Sequence, residues 1–133
     1  MVVKPAFSDL GASVLFVDDL EVALAFYRDV LGLEMKFHDE VSAMFLLGSV
    51  ALFVMQASRG SEQLAGEVTD IPRRSGATTL LCAPTDDVDA LYNDLLTRGV
   101  NFITEPVSQP WGMRTANFKD PDGHFWEIFQ KID

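Results

Sequence analysis

The sequence predicts an α+β fold of two tandem βαβββ modules, one after the other in a single domain spanning residues 1–133. Three observations predict it. An alternating apolar run leads through an acidic turn into helical spacing, and the same order of events recurs later in the chain. Each occurrence is followed by short strand-like runs separated by turn residues. At 133 residues the chain has one domain's length, enough to bury roughly two thirds of its unfolded surface.

Module one runs over about 8–56. Within SVLFVDDLEVALAFYRDVLGLEMKF (13–37), a strand gives way to apolar residues at Leu20, Leu24, Tyr27 and Leu31. Steps of four, three and four lie on one helical face. Asp18 or Asp19 is placed to cap that helix, and Gly32 to end it. MFLLG and SVALFVMQ then read as a hairpin.

Module two, about 77–133, repeats the plan in TLLCAPTDDVDALYNDLLTRGVNFI (79–103). Asp86 and Asp87 stand at the cap, Val88, Leu91, Tyr92 and Leu95 form the stripe, and Gly99 ends it. RTANFKD, a turn at PDG and HFWEIFQ follow. Laying Phe53 over Glu127 brings Gly48-Ser49 onto Asp122-Gly123 and Gln56 onto Gln130, the mark of an internal duplication. Residues 57–76 lack a clear period and read as a long connection.

Composition excludes several functions. The longest apolar run, Val50 to Met55, is far short of the roughly 18 residues a membrane helix needs. Net charge is −10 and the ten basic residues are scattered, so no stripe exists to hold nucleic acid. Arg59, Arg73, Arg74 and Arg114 are either surface residues or a local pocket for an anionic group. The N-terminus carries no secretory pattern, and Cys82 has no intrachain partner for a disulfide, which fits a cytoplasmic setting.

With DDLEVALAFYRDVLGLE opening the first module and DPDGHFWEIFQ closing the second, the chain resembles the vicinal oxygen chelate superfamily from about Ser13 to Gln130. That superfamily includes glyoxalase I, extradiol dioxygenases, fosfomycin-modifying enzymes and bleomycin resistance proteins. The resemblance implies modules that curl an antiparallel sheet around a cavity, and a homodimer that completes the site. It also implies metal ligands on the first and last strands of each module. Carried onto this sequence, those positions are Ala12, Phe53, Leu80 and Glu127. Only Glu127 can ligate, so no metal and no cofactor are expected. His38 and His124 lack ligand spacing and read as ordinary histidines.

With Glu127 facing inward, strand alternation places Phe125 and Phe129 beside it and sends Trp126 and Ile128 under the helices. Val14 and Phe16 join Ala12, Ala51 and Met55 join Phe53, and Cys82 joins Leu80 by the same rule. The expected pocket is apolar and aromatic with one acid in it. Arg114 is the expected partner of Glu127 across the DPDG turn; otherwise the acid is tied up by a backbone group or a tyrosine hydroxyl. The run QPWGMR (109–114) resembles the bleomycin-resistance branch, in which Trp111 would stack on a ligand.

The expected ligand-binding set is therefore Phe16, Phe53, Met55, Trp111, Arg114, Phe125, Glu127 and Phe129. The function that follows is metal-independent binding of an apolar or aromatic small molecule, antibiotic sequestration being the case the resemblance favours. The enzymatic alternative is a glyoxalase-like lyase or isomerase, or an extradiol-type dioxygenase. Either would use a divalent metal, or Glu127 as a general base on an acidic C–H.

Overall fold

A computed structural model describes residues 3–58 and 79–133 of the chain. Most of the 57–76 connection, with Arg59, Arg73 and Arg74, falls outside the described residues. Module one contains β1 (Ala12–Val17), α1 (Leu20–Leu24), β2 (Met35–His38), β3 (Ser42–Leu47) and β4 (Val50–Gln56). Module two contains β5 (Leu80–Pro84), α2 (Val88–Thr97), β6 (Phe102–Ser108), β7 (Met113–Lys119) and β8 (Phe125–Lys131).

Each module forms a four-stranded sheet, in the orders β1-β4-β3-β2 and β5-β8-β7-β6. The tandem βαβββ reading holds, with one refinement. Both sheets are mixed, because the helical crossover leaves the first strand parallel to the last. The duplication extends to register: Val14 lies opposite Phe53 in module one, and Cys82 opposite Glu127 in module two.

The caps are as expected. Asp19 accepts the Glu21 N–H at 2.9 Å and Asp87 accepts the Ala90 N–H at 3.0 Å, satisfying donors that a helix start leaves open. Gly32 and Gly99 end the helical segments at φ 69° and 88°, a region that costs L-residues with a Cβ far more. The first helix differs from a regular stripe. After Leu24 it widens into a π-helical segment, Ala25–Val30, in which Leu31 N–H reaches back to Phe26 at 2.8 Å. Within it Phe26 and Tyr27 make an edge-on ring contact, centroids 5.1 Å apart, with Tyr27 fully buried.

The two modules share one core. Leu15, Val17, Leu52 and Val54 from the first sheet meet Ala116, Phe118, Trp126 and Ile128 from the second, with Leu24 and Tyr27 among them. Burying Leu24, Phe45 or Leu52 stabilises by about 1.5–3 kcal/mol each relative to exposure. Trp126 and Ile128 lie on the helix-covered face, as alternation requires. No helix among the described residues is long and apolar enough to cross a membrane.

Candidate functional site

Residues alternating with the core positions form the opposite face of each sheet. On module one these include Val14, Phe16 and Phe53, with Val14 exposed and the two phenylalanines half-buried. On module two they are Leu80, Cys82, Phe125, Glu127 and Phe129, the last three half-buried. Neither helix of its own module covers this side, so large apolar groups remain open to solvent there.

A row of four residues crosses the whole second sheet at Glu127. Cys82 on β5 and Asn117 on β7 are its register partners, and Thr104 on β6 pairs with Asn117. Asn117 Nδ2 donates to Glu127 Oε1 at 3.2 Å, and Cys82 Sγ donates to Glu127 Oε2 at 3.6 Å. Thr104 Oγ1 lies 3.0 Å from Asn117 Oδ1 and accepts the Asn117 backbone N–H at 3.0 Å. Phe125 and Phe129 flank Glu127 two residues to either side along β8, on the same face.

Burial first, then the neighbouring Glu127 carboxylate, holds the pKa of the Cys82 thiol above its ordinary value. The protonated thiol, a hydrogen-bond donor to Glu127, is thereby favoured over the thiolate. It also lines a cleft of about 470 Å³ at the seam between modules. Leu47 and Val50 of the β3–β4 hairpin form one side of that cleft, Leu81 and Pro84 of β5 the other, and Trp126 is part of the lining. The volume lies within the ~300–1,000 Å³ typical of small-molecule sites.

Several sequence expectations land together and two do not. Phe125, Glu127 and Phe129 share one face with Cys82, and Phe16, Phe53 and Met55 share the equivalent face of module one, Met55 opposite Phe16. Arg114 is not the partner of Glu127. It lies opposite Gln130, on the same side of β7 as buried Ala116 and Phe118, and its guanidinium grips Asp89 of α2 through two bonds of 2.7 and 2.9 Å. Alternation across a five-residue turn sends it to the helix side, where Asp89 and Ser108 satisfy it. Trp111 sits 67 % exposed in the turn joining β6 to β7. That turn adjoins Lys131, four residues and roughly 13 Å along β8 from Glu127, so Trp111 is a rim residue.

Asn117 and Thr104 were not visible as site residues from sequence. Their partnership depends on register shifts in β6 on both sides of Thr104, which leave the Asn117 N–H to a side chain. His124 is structural, its Nε2 lying 2.8 Å from the Phe16 carbonyl oxygen.

A sequence profile of the Glyoxalase/Bleomycin resistance protein/Dioxygenase superfamily matches residues 10–128. The chain belongs to that superfamily. A bleomycin resistance protein from Geobacillus stearothermophilus is 25% identical over 123 residues, covering 87% of this chain and 92% of its own. A glyoxalase/bleomycin resistance protein/dioxygenase from Nocardioides superposes with a TM-score of 0.84 at 26% identity, over 98% of this chain and 88% of that one. A lactoylglutathione lyase from Agrobacterium tumefaciens superposes with a TM-score of 0.74 at 27% identity, over 95% and 96% of the two chains.

The positions that the resemblance assigns to metal ligands do not fit a metal in this chain. Ala12, Phe53 and Leu80 offer no donor, and Glu127 has Cys82 as its neighbouring thiol. Among the described residues no group of three or more His, Cys, Asp or Glu is placed to hold an ion. A zinc-type site takes three or four protein donors.

Proposed function

We propose that this superfamily member binds an apolar, aromatic small molecule without a metal and sequesters it unchanged, as its likeness to bleomycin resistance proteins suggests. The carrying observation is the Glu127 face: one hydrogen-bonded carboxylate between Phe125 and Phe129, with its thiol partner Cys82 also at the edge of a cleft of about 470 Å³ whose lining includes none of those three. Apolar walls with a few convergent polar groups are what orient a small ligand. Phe16, Phe53 and Met55 supply the matching apolar face of module one, and Trp111 a stacking surface at the rim for a ligand long enough to reach it.

The working form in this reading is a cytoplasmic homodimer. Val14, Leu46 and Leu80 are 39%, 43% and 45% exposed, and a second copy laid over these faces would take them from water and close the site. The free thiol of Cys82 suits a reducing compartment.

Isothermal titration with metal-free bleomycin in chelator tests the reading. Stoichiometric binding, recovery of the drug unchanged, and weakening by Phe129→Ala are expected. Absence of binding, or recovery of a chemically altered compound, would count against sequestration. The second outcome would favour the lyase-like alternative, with Glu127 as general base, to which the likeness to a lactoylglutathione lyase points.

A further inference from the structure

The row Thr104–Asn117–Glu127–Cys82 holds a constraint that reaches the ligand. Thr104 Oγ1 already accepts the Asn117 backbone N–H, so its single hydrogen is directed to Asn117 Oδ1. That fixes the amide with Nδ2 toward Glu127. The reverse orientation would set Oδ1 against a carboxylate oxygen at 3.2 Å, two acceptors facing each other.

Glu127 thus receives one hydrogen from an amide and one from a thiol. Both donors are neutral, so they orient the carboxylate without cancelling its charge. A carboxylate offers about four lone-pair positions, and two are used. Among the described residues no Lys, Arg or His forms an ion pair with it. The ammonium of Lys119 instead lies over the Phe125 ring, 5.1 Å from its centroid. Phe129, on the other side of Glu127, has no such partner among the described residues.

We propose that Glu127 and the Phe129 ring form a subsite for a protonated nitrogen on the ligand, and that Thr104 is a positioning residue which sets this preference through Asn117. The proposal rests on the binding reading above and names the ligand class it lacks: an aromatic compound carrying a primary ammonium group. An ammonium brings donors to the free lone pairs, and the ring face adds a cation–π contact. A neutral hydroxyl of the same shape would gain much less.

The test compares 4-phenylbenzylammonium with neutral 4-phenylbenzyl alcohol by titration calorimetry on the full chain. Wild type is expected to prefer the ammonium by about tenfold or more, the worth of a hydrogen bond to a charged group. Glu127→Gln should abolish the preference. Thr104→Val should cut it by about threefold to fivefold, the worth of one neutral hydrogen bond, and Thr104→Ser should restore it. Restoration by serine separates positioning from damage to the fold. Equal binding of both probes to wild type, or a preference that survives Glu127→Gln, overturns the inference and leaves the apolar binding site standing. Failure of both probes to bind overturns both.

Discussion

The Tyr27 hydroxyl donates to Asp120 Oδ2 at 2.5 Å and accepts the Trp126 indole N–H at 3.0 Å, across 93 and 99 residues of sequence. Asp120 is 5% exposed, and its other oxygen accepts the backbone N–H groups of Asp122 and His124 at 3.0 and 2.8 Å. The DPDG turn that precedes the Glu127 strand is thereby anchored on the widened helical turn of module one. Burial, then Asp120, raises the Tyr27 pKa far above its ordinary value, which keeps the hydroxyl a donor.

Tyr27→Phe removes a donor from a buried carboxylate and an acceptor from a buried indole. Stability should fall by about 1–3 kcal/mol, the cost of leaving a buried polar group unsatisfied. Urea unfolding would show it as a lower midpoint at unchanged slope. An unchanged midpoint would mean that the clasp contributes nothing.

Cys82 reports the charge of its neighbour. Alkylation by iodoacetamide should follow an apparent pKa above that of an ordinary thiol, because burial and then Glu127 disfavour the thiolate. Glu127→Gln should move the pH–rate profile of alkylation part-way back, since burial, the larger cause, remains. A profile identical in the two proteins would break the link between Cys82 and Glu127.

The Arg114–Asp89 pair makes its prediction through pH. Hydrogen bonding to Arg114 holds the Asp89 pKa below the usual carboxylate value, so the folded value lies below the unfolded one. The stability this supplies is complete above the unfolded pKa and lost as pH falls through the folded one. Arg114→Gln should therefore be less stable than wild type at neutral pH, with the gap closing below about pH 4. Asp122 has the opposite sign: burial raises its pKa, so its contribution is present at low pH and lost as pH rises through the folded value. Comparing wild type with Arg114→Gln at each pH cancels that background. A gap constant with pH would show that the pair is not the source.

Much of the frame was legible because local chemistry dictates it. Asp19, Asp87, Gly32 and Gly99 stand where helix ends need a cap or a positive φ, and the period-two pattern around Glu127 separated Trp126 and Ile128 from Phe125 and Phe129. What could not be read depended on register. Arg114 and Asn117 differ by three residues and so face opposite sides, and which of them meets Glu127 is decided by the five residues of the 120–124 turn. Thr104 was hidden by the shifts in β6, and the π-helical widening around Tyr27 leaves no signature in apolar spacing. The four-residue polar row emerges only when four strands are laid side by side.

The most direct measurement is a two-dimensional amide NMR titration of isotope-labelled protein with metal-free bleomycin in chelator. Saturable shifts centred on the Asn117 side-chain amide, Cys82, Glu127 and Phe129 are expected, with α2 and the Arg114–Asp89 pair undisturbed. Shifts confined to the helix side, or a spectrum unchanged at saturating ligand, would contradict a small-molecule site on the Glu127 face.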